Sequence, residues 1–179
     1  MSSDKIIKQI KRLIYSSDSF QQIEALIDHM ESPDTKIDEI LYSAMISSVV
    51  TTYAVNFNQA DGVGPLPKMY EKFDDPKIKE AHDKLLAARN QLYAHRDIHS
   101  TKETNERAYR IEVWLHDGML LQRPYMIDIS SGKLPEIKSL ITFQRNRLQV
   151  DLDGKLAQII NPNKEYIEGE VWELGVDFP

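Results

Sequence analysis

Apolar residues recur every three or four positions along most of the chain, which is the spacing of one face of an α-helix. This spacing predicts helices over residues 4–15, 20–31 and 36–59, another that starts at Pro76, and a long one over 135–160. Residues 16–19 are predicted to separate the first two helices, with Asp18 or Ser19 capping the second. Pro33 is predicted to end that second helix, because proline cannot continue it.

The same spacing predicts which faces of the two middle helices are buried. In the third helix the predicted buried stripe is Ile37, Leu41, Ala44, Ser48, Thr52 and Val55. In the helix that starts at Pro76 the predicted stripe is Ile78, Ala81, Leu85, Ala88 and Leu92. His95 occupies the next position on that stripe, so the helix must end there, bury His95 or direct it at another chain.

Residues 107–129 change to a period of two, which is the pattern of a β-strand. Asp117-Gly118 lies between two such runs and is typical of a type I′ hairpin turn. Pro124 indicates that the second strand lies at an edge or is interrupted there. The sequence therefore predicts a β-hairpin inserted between helices, and a lone hairpin needs a body to pack on.

These patterns predict a mainly α fold: an antiparallel helical bundle with an inserted β-hairpin and a long C-terminal helix. At 179 residues the chain suits a single domain over 1–179, with the hairpin insertion at about 107–129. A tail at 163–179 follows the last helix. It has enough apolar surface to dock on the body, contributed by Tyr166, Val171, Trp172, Leu174 and Phe178.

Composition narrows the possible functions. The chain has no cysteine, which excludes disulfides, thiolate metal sites and cysteine nucleophiles. Its formal charge of -6 opposes tight, sequence-independent binding to nucleic acid over the whole surface, and no DNA partner is expected. The sequence lacks a secretory apolar core and an apolar run of membrane-spanning length, so we expect no membrane association and a cytoplasmic location.

One stretch near residue 90 gathers more proton-transferring and anion-binding groups than any other. Arg89, Asn90, Tyr93, His95 and Arg96 fall within eight residues. A histidine can transfer a proton near neutral pH, and an arginine can stabilise the charge that develops on phosphorus. The carboxamide can orient the histidine, and the tyrosine can stack on a base. This set suits phosphodiester cleavage without a metal or another cofactor.

Helical geometry restricts how these groups can act together. Arg89 and His95 are six residues apart, which is about 600° of rotation and leaves them about a third of a turn from a common face. A regular helix does not bring them together. Their convergence needs a helix end near His95, or a two-fold dimer that supplies both copies.

Arg89-Asn90 followed by His95, on the last helix of an antiparallel bundle, resembles the signature of the HEPN superfamily. In that signature an arginine precedes Asn, Asp or His, and four to six residues separate the arginine from a histidine; here five residues separate them. The string Ala88-Arg89-Asn90-Gln91-Leu92-Tyr93-Ala94-His95-Arg96-Asp97 is similar to the version in abortive-infection U-type HEPN-like proteins. The resemblance covers residues from about 20 to 100.

The resemblance implies a bundle that dimerises across the motif and has metal-independent endoribonuclease activity. Arg89 and His95 would be catalytic, with Asn90 supporting and Tyr93 and Arg96 beside them. It also implies a role in phage defence or as a toxin, with RNA as substrate and a nucleotidyltransferase-like antitoxin as a possible partner. Other members of the superfamily are non-catalytic binding modules.

Structural explanations compete with these functional ones. His95 could end the helix, stabilised by the helix dipole or by Asp97. Arg89 and Arg96 could form surface ion pairs, and the sevenfold spacing of His82, Arg89 and Arg96 could mark a polar edge beside the core. The histidines lack metal-ligand spacing, so no metal site is expected. A catalytically silent dimerisation or partner-binding module, or a small-molecule sensor with a pocket between bundle and hairpin, therefore remain as alternatives.

Overall fold

The protein is described by a computed structural model that covers residues 3–58, 64–90, 111–116, 119–124, 129 and 131–159. These residues form four α-helices: α1 Ser3–Glu31, α2 Glu39–Val55, α3 Pro76–Arg89 and α4 Leu134–Ile159. Two strands, β1 Ile111–His116 and β2 Met119–Pro124, come between α3 and α4 in the sequence. Single 3-10 turns occur at Lys68–Glu71 and Ser131–Lys133. The protein is thus mainly helical, as predicted.

Helix α1 runs without interruption from Ser3 to Glu31, so the predicted break at 16–19 is wrong. Its polar residues bond along the helix instead of capping a new one. Ser19 Oγ donates to the carbonyl of Tyr15 at 2.9 Å, and Asp18 accepts from Gln22 at 2.7 Å. Ser16 lies on the buried side, 4% exposed. Helix α1 ends at Glu31, before Pro33, as the sequence predicted.

Helix α2 begins later and ends earlier than the predicted 36–59. Asp38 caps it by accepting from the N–H of Leu41 at 2.7 Å. The predicted buried stripe is also wrong, because Leu41 is 44% exposed and Val55 is 52% exposed. The buried face consists of Met45, Ile46, Val49, Val50, Tyr53 and Ala54. The residues of α2 are apolar or small and uncharged on all sides of the helix, so their spacing does not indicate which face is buried.

Helices α3 and α4 agree with the sequence. Asp75 caps α3 through the N–H of Lys77 at 2.8 Å, and Pro76 occupies the first helical position. Ala81, Leu85 and Ala88 are buried as predicted, and Ile78 is partly buried. Leu92 lies outside the described residues. The limits of α4 fall within one residue of the predicted 135–160. Its buried residues are Leu134, Ile137, Leu140, Ile141, Gln144 and Leu148.

The helices pack side by side as a bundle. Lys138 pairs with Asp28 at 2.6 Å, Arg145 pairs with Glu24, and Lys155 donates to Gln9 at 2.9 Å. Residue numbers rise along α4 as they fall along α1, so these two helices are antiparallel. Helix α2 packs between α1 and α3, and α3 packs on α4. One apolar core fills the space between all four helices.

Strands β1 and β2 pair antiparallel, with Ile111 opposite Pro124 and His116 opposite Met119. The predicted turn at 117–118 lies outside the described residues, as does the tail at 163–179. How the two strands pack on the helices stays a prediction. Pro124 is the last described residue of β2, and the predicted edge or interruption at this position stays a prediction.

Candidate functional site

Arg89 is the last residue of the described part of α3, and Asn90 follows it directly. The preceding residue, Ala88, is fully buried, whereas Arg89 is half-buried and Asn90 is exposed. Asn90 keeps helical dihedral angles, and its N–H points back to the carbonyls of Leu86 and Ala87. The core therefore anchors this end of α3, and the guanidinium and carboxamide are presented at its edge.

Arg89 and Asn90 also contact each other through their side chains. Arg89 Nη1 donates to Asn90 Oδ1 at 3.2 Å. This contact uses one of the five N–H donors of the guanidinium. It leaves the amide nitrogen of Asn90 as an additional donor. The two side chains together form a small group of hydrogen-bond donors with one positive charge.

The described part of the chain places no carboxylate in an ion pair with Arg89. Four other charged residues of α3 do pair: Lys79 pairs with Asp83, and Lys84 pairs with Glu80, each one turn away. The surface ion pair that could have explained Arg89 is therefore not found among these residues.

Tyr93, His95 and Arg96 lie outside the described residues. The predicted convergence of Arg89 with His95, and the supporting positions of Tyr93 and Arg96, therefore stay predictions. Of the five candidate site residues, the structure describes Arg89 and Asn90, which are adjacent in sequence and in contact.

His82 is an interior residue that the sequence did not assign correctly. It is 3% exposed, and its Nδ1 lies 2.7 Å from the hydroxyl of Tyr53. Its ring packs edge-on against Phe57 and lies 4.9 Å from the ring centre of Phe73. It does not belong to a solvent-exposed polar edge. One signal was available: His82 is next to Ala81 and three residues before Leu85, both on the predicted buried stripe.

Burial keeps both partners of this contact uncharged. Desolvation lowers the pKa of His82 below its ordinary value, and Asp83 and Glu71 oppose that change. Burial also raises the pKa of Tyr53 far above its ordinary value, while the polar side chain of Gln144 partly opposes the rise. A neutral imidazole and a neutral phenol thus join α2 to α3. Because both side chains are buried in the core, their role is structural. His82 lies about two turns before Arg89, on the same side of α3.

A second polar group fixes α4 to the turn before α3. Gln144 is fully buried and donates to the carbonyl of Tyr70 at 2.8 Å. The hydroxyl of Tyr70 donates to Asp151 at 2.6 Å, and burial is the main reason why the pKa of Tyr70 is raised. Arg147 lies over the Tyr70 ring and donates to the carbonyl of Met69 at 2.7 Å. These contacts give Gln144, Arg147 and Asp151 of α4 a packing role.

A small cavity lies between α3 and the start of α4. Its walls are apolar, from Ala81, Leu85, Ile129 and Ile137, and its rim carries Lys84, Lys133 and Glu136. Its volume is about 20 Å³, enough for roughly one water molecule. A metabolite does not fit into a space of this size, so this cavity gives no support to the sensor alternative.

Searches for related proteins give no relative from which a function could be transferred. No protein-family model matches the chain, no curated protein matches it, and no solved structure matches it. Within the described ranges, no group of three or more acidic or histidine side chains could hold a metal ion. Among the same residues, no helix has both the length and the apolarity to cross a membrane.

Proposed function

We propose that this protein is a metal-independent endoribonuclease of HEPN type in which Arg89 and His95 are the catalytic residues. The observation that carries the proposal is the position of Arg89. It lies at the edge of the core, in contact with Asn90 and without an ion pair to a described carboxylate. An arginine held in this way is suited to binding a phosphate.

The proposed reaction needs only groups of the motif and the RNA itself. The ribose 2′-oxygen attacks the adjacent phosphorus, and the bond from phosphorus to the 5′-oxygen breaks. One proton leaves the 2′-hydroxyl and one is delivered to the 5′-oxygen, and His95 transfers a proton at one of these atoms. Arg89 stabilises the extra negative charge on the phosphorane oxygens. The products carry a 2′,3′-cyclic phosphate and a 5′-hydroxyl.

The remaining motif residues position the RNA. Asn90 holds the Arg89 guanidinium through its carboxamide oxygen and can donate to phosphate through its amide nitrogen. Tyr93 stacks on a base, and Arg96 contributes a second positive charge. Because Arg89 and His95 do not share a face of one regular helix, we propose a homodimer in which each site combines residues of both copies. A toxin or phage-defence role, a cytoplasmic location and a nucleotidyltransferase-like antitoxin belong to the same proposal.

Incubation of the purified protein with single-stranded RNA in EDTA tests the proposal. The wild type is expected to cleave the RNA, and Arg89→Ala and His95→Ala are each expected to lose about two orders of magnitude or more in rate. Lys79→Ala is the matched control, because it removes one positive charge from an exposed position of α3. Equal degradation by the wild type and by both motif variants would show that the activity is a contaminant.

A second candidate function is a catalytically silent dimerisation or partner-binding module. The observation that favours it is the outer face of α2, where Ile40, Leu41 and Val55 are exposed. No charged residue occurs between positions 40 and 60, and Ser43, Ala44 and Ser48 would allow a close approach of another helix. Exposed helices of soluble proteins usually carry charged residues on their outer face.

Light scattering separates the two functions when it is combined with the cleavage assay. If α2 is the reason for association, Ile40→Asp with Val55→Asp reduces the molar mass of the particle. Val150→Asp, at a 72% exposed position of α4, is the control and leaves the mass unchanged. A chain that associates through α2 and cleaves no RNA is an interaction module. A mass that does not respond to the α2 substitutions rules out that face as the interface.

A further inference from the structure

The first half of α1 carries a run of basic residues that no acidic residue interrupts. Between residues 5 and 17 there are four basic residues, Lys5, Lys8, Lys11 and Arg12, and no acidic one. Lys5, Lys8 and Lys11 are exposed, and no ion pair joins them to another described residue. Several lysines elsewhere on the bundle do pair, as Lys138 does with both Asp28 and Glu31.

Apolar side chains are exposed on the same face of α1. Tyr15 is 61% exposed and Ile14 is 45% exposed. With about 100° of rotation per residue, Lys8, Lys11 and Tyr15 fall within about 60° of one another around the helix. The Tyr15 ring thus lies one turn beyond Lys11 along the helix, and Ile14 lies about 60° around the helix from Lys11, on the side away from Lys8. We call this surface, defined by Lys8, Lys11, Ile14 and Tyr15, the basic face.

The tail at 163–179 has the opposite charge and a similar apolar content. It contains five acidic residues and one basic residue, so its formal charge is -4. Apolar and aromatic residues are interspersed with the acids, as in Glu170-Val171-Trp172-Glu173-Leu174. Such a sequence matches a basic surface with an exposed aromatic ring both in charge and in apolar character.

The last turns of α4 lie beside the start of α1. Lys155 of α4 donates to Gln9 of α1 at 2.9 Å, and Ile159, one turn later, is the last described residue of α4. The segment that follows α4 therefore starts within reach of the basic face. The basic face extends over about 11 Å of helix from Lys8 to Tyr15, and 17 residues can span at most about 60 Å, so the tail is long enough.

We propose that the tail at 163–179 docks on the basic face of α1, with its acidic residues on Lys8 and Lys11 and Trp172 against Tyr15 and Ile14. The outer face of α2 does not fit this segment equally well, since it offers no positive charge and starts beside Asp38 and Glu39. A docked tail neutralises the basic surface and covers it. This inference does not depend on the ribonuclease proposal, because neither surface includes Arg89 or His95.

Fluorescence of a single tryptophan tests the docking in the full-length chain. Trp114→Phe leaves Trp172 as the only tryptophan. In this background the docked tail protects Trp172 from acrylamide quenching. Lys8→Glu combined with Lys11→Glu is expected to increase the quenching constant several-fold and to shift the emission to longer wavelength. High salt is expected to act in the same direction, because it screens the charges.

Two further variants make the result specific. Lys36→Glu with Lys77→Glu changes the net charge equally at exposed positions away from the basic face, and should leave Trp172 protected. Glu170→Lys with Glu173→Lys, added to the Lys8 and Lys11 reversals, should restore the protection. Circular dichroism establishes that every variant keeps its helix content.

The proposal is overturned if Trp172 is quenched equally in the wild-type background and in the Lys8 and Lys11 reversal. It is also overturned if the control reversal has the same effect, since charge alone would then be responsible. Binding of a single-stranded RNA to the basic face with equal affinity before and after removal of residues 163–179 would assign the surface to nucleic acid instead. Carbodiimide cross-links from Lys8 or Lys11 to tail carboxylates would support the docking directly.

Discussion

The hydroxyl of Tyr53 lies 2.7 Å from Nδ1 of His82, inside the bundle, and joins α2 to α3. Aromatic rings surround the contact: Phe20 lies 5.7 Å and Phe57 5.0 Å from the Tyr53 ring, between ring centres. Because water is excluded, each partner depends on the other for a hydrogen bond. The contact fixes the part of α3 that continues into Arg89, so it links the core to the proposed site.

Removal of the Tyr53 hydroxyl is therefore expected to cost more than removal of a similar hydroxyl nearer the surface. Tyr53→Phe leaves a buried ring nitrogen without a partner and should lower the free energy of unfolding by about 1–3 kcal/mol. Tyr70→Phe is the matched control, because its partner Asp151 is partly exposed and can bind water, so the cost should be about 1 kcal/mol or less. Urea denaturation measures both. Equal losses would show that the Tyr53 contact has no special value.

Acid should destabilise the protein through His82. Burial lowers its pKa from the ordinary value of 6.5, so the folded state binds the proton less readily than the unfolded chain does. The stability that comes from this difference is present above the ordinary pKa and is lost as the pH falls through the folded value. Wild type should therefore lose more stability between neutral and mildly acidic pH than His82→Asn, which keeps a polar group but cannot titrate. Parallel stability curves for the two proteins would contradict this.

The sequence predicted those elements whose ends carry a specific chemical signal. Asp75-Pro76 gave the start of α3, Pro135 lies in the first turn of α4 as expected, and Pro33 follows the end of α1. These residues act locally, through a cap or through proline geometry, and so can be recognised without the rest of the fold.

The elements that were mispredicted depend on the surroundings. Ser16, Asp18 and Ser19 can cap a helix or form hydrogen bonds within one. Both halves of α1 pack on α4, and this packing favours the continuous helix. The buried face of α2 was misassigned because its apolar residues surround the helix, and the packing of Tyr53 selects one side. At the site, the sequence placed Arg89 on α3 correctly, while its lack of a described ion pair required the structure.

A proline substitution in α1 distinguishes the continuous helix of the structure from the interrupted helix that the sequence predicted. Ser19→Pro removes a backbone hydrogen bond in the middle of α1 and should lower the free energy of unfolding by about 3 kcal/mol or more. Ser19→Ala removes the same hydroxyl but keeps the backbone, and should change stability by about 0.5 kcal/mol or less. Thermal or urea unfolding provides the comparison. A well-tolerated proline would indicate that the helix is interrupted there after all.

Mixing of inactive chains tests whether the proposed site is shared between two copies. If each site combines Arg89 of one chain with His95 of the other, a mixed dimer of Arg89→Ala and His95→Ala contains one intact site. Random reassociation of equal amounts should then recover about a quarter of the wild-type activity, since half of the dimers are mixed and half of their sites are intact. Each variant alone provides the baseline. If mixing recovers nothing, Arg89 and His95 act within one chain or do not act together.

The rate of RNA cleavage in EDTA by wild type and by Arg89→Ala tests the central claim most directly. If Arg89 stabilises the phosphorane, the products carry 2′,3′-cyclic phosphate ends, and no cleavage occurs where the attacking 2′-hydroxyl is replaced by hydrogen. The cleavage rate of the variant should be lower by about two orders of magnitude or more. Lys79→Ala should cleave at the wild-type rate. A wild-type protein that leaves the RNA intact, or an Arg89→Ala protein that cleaves it equally fast, would contradict the account.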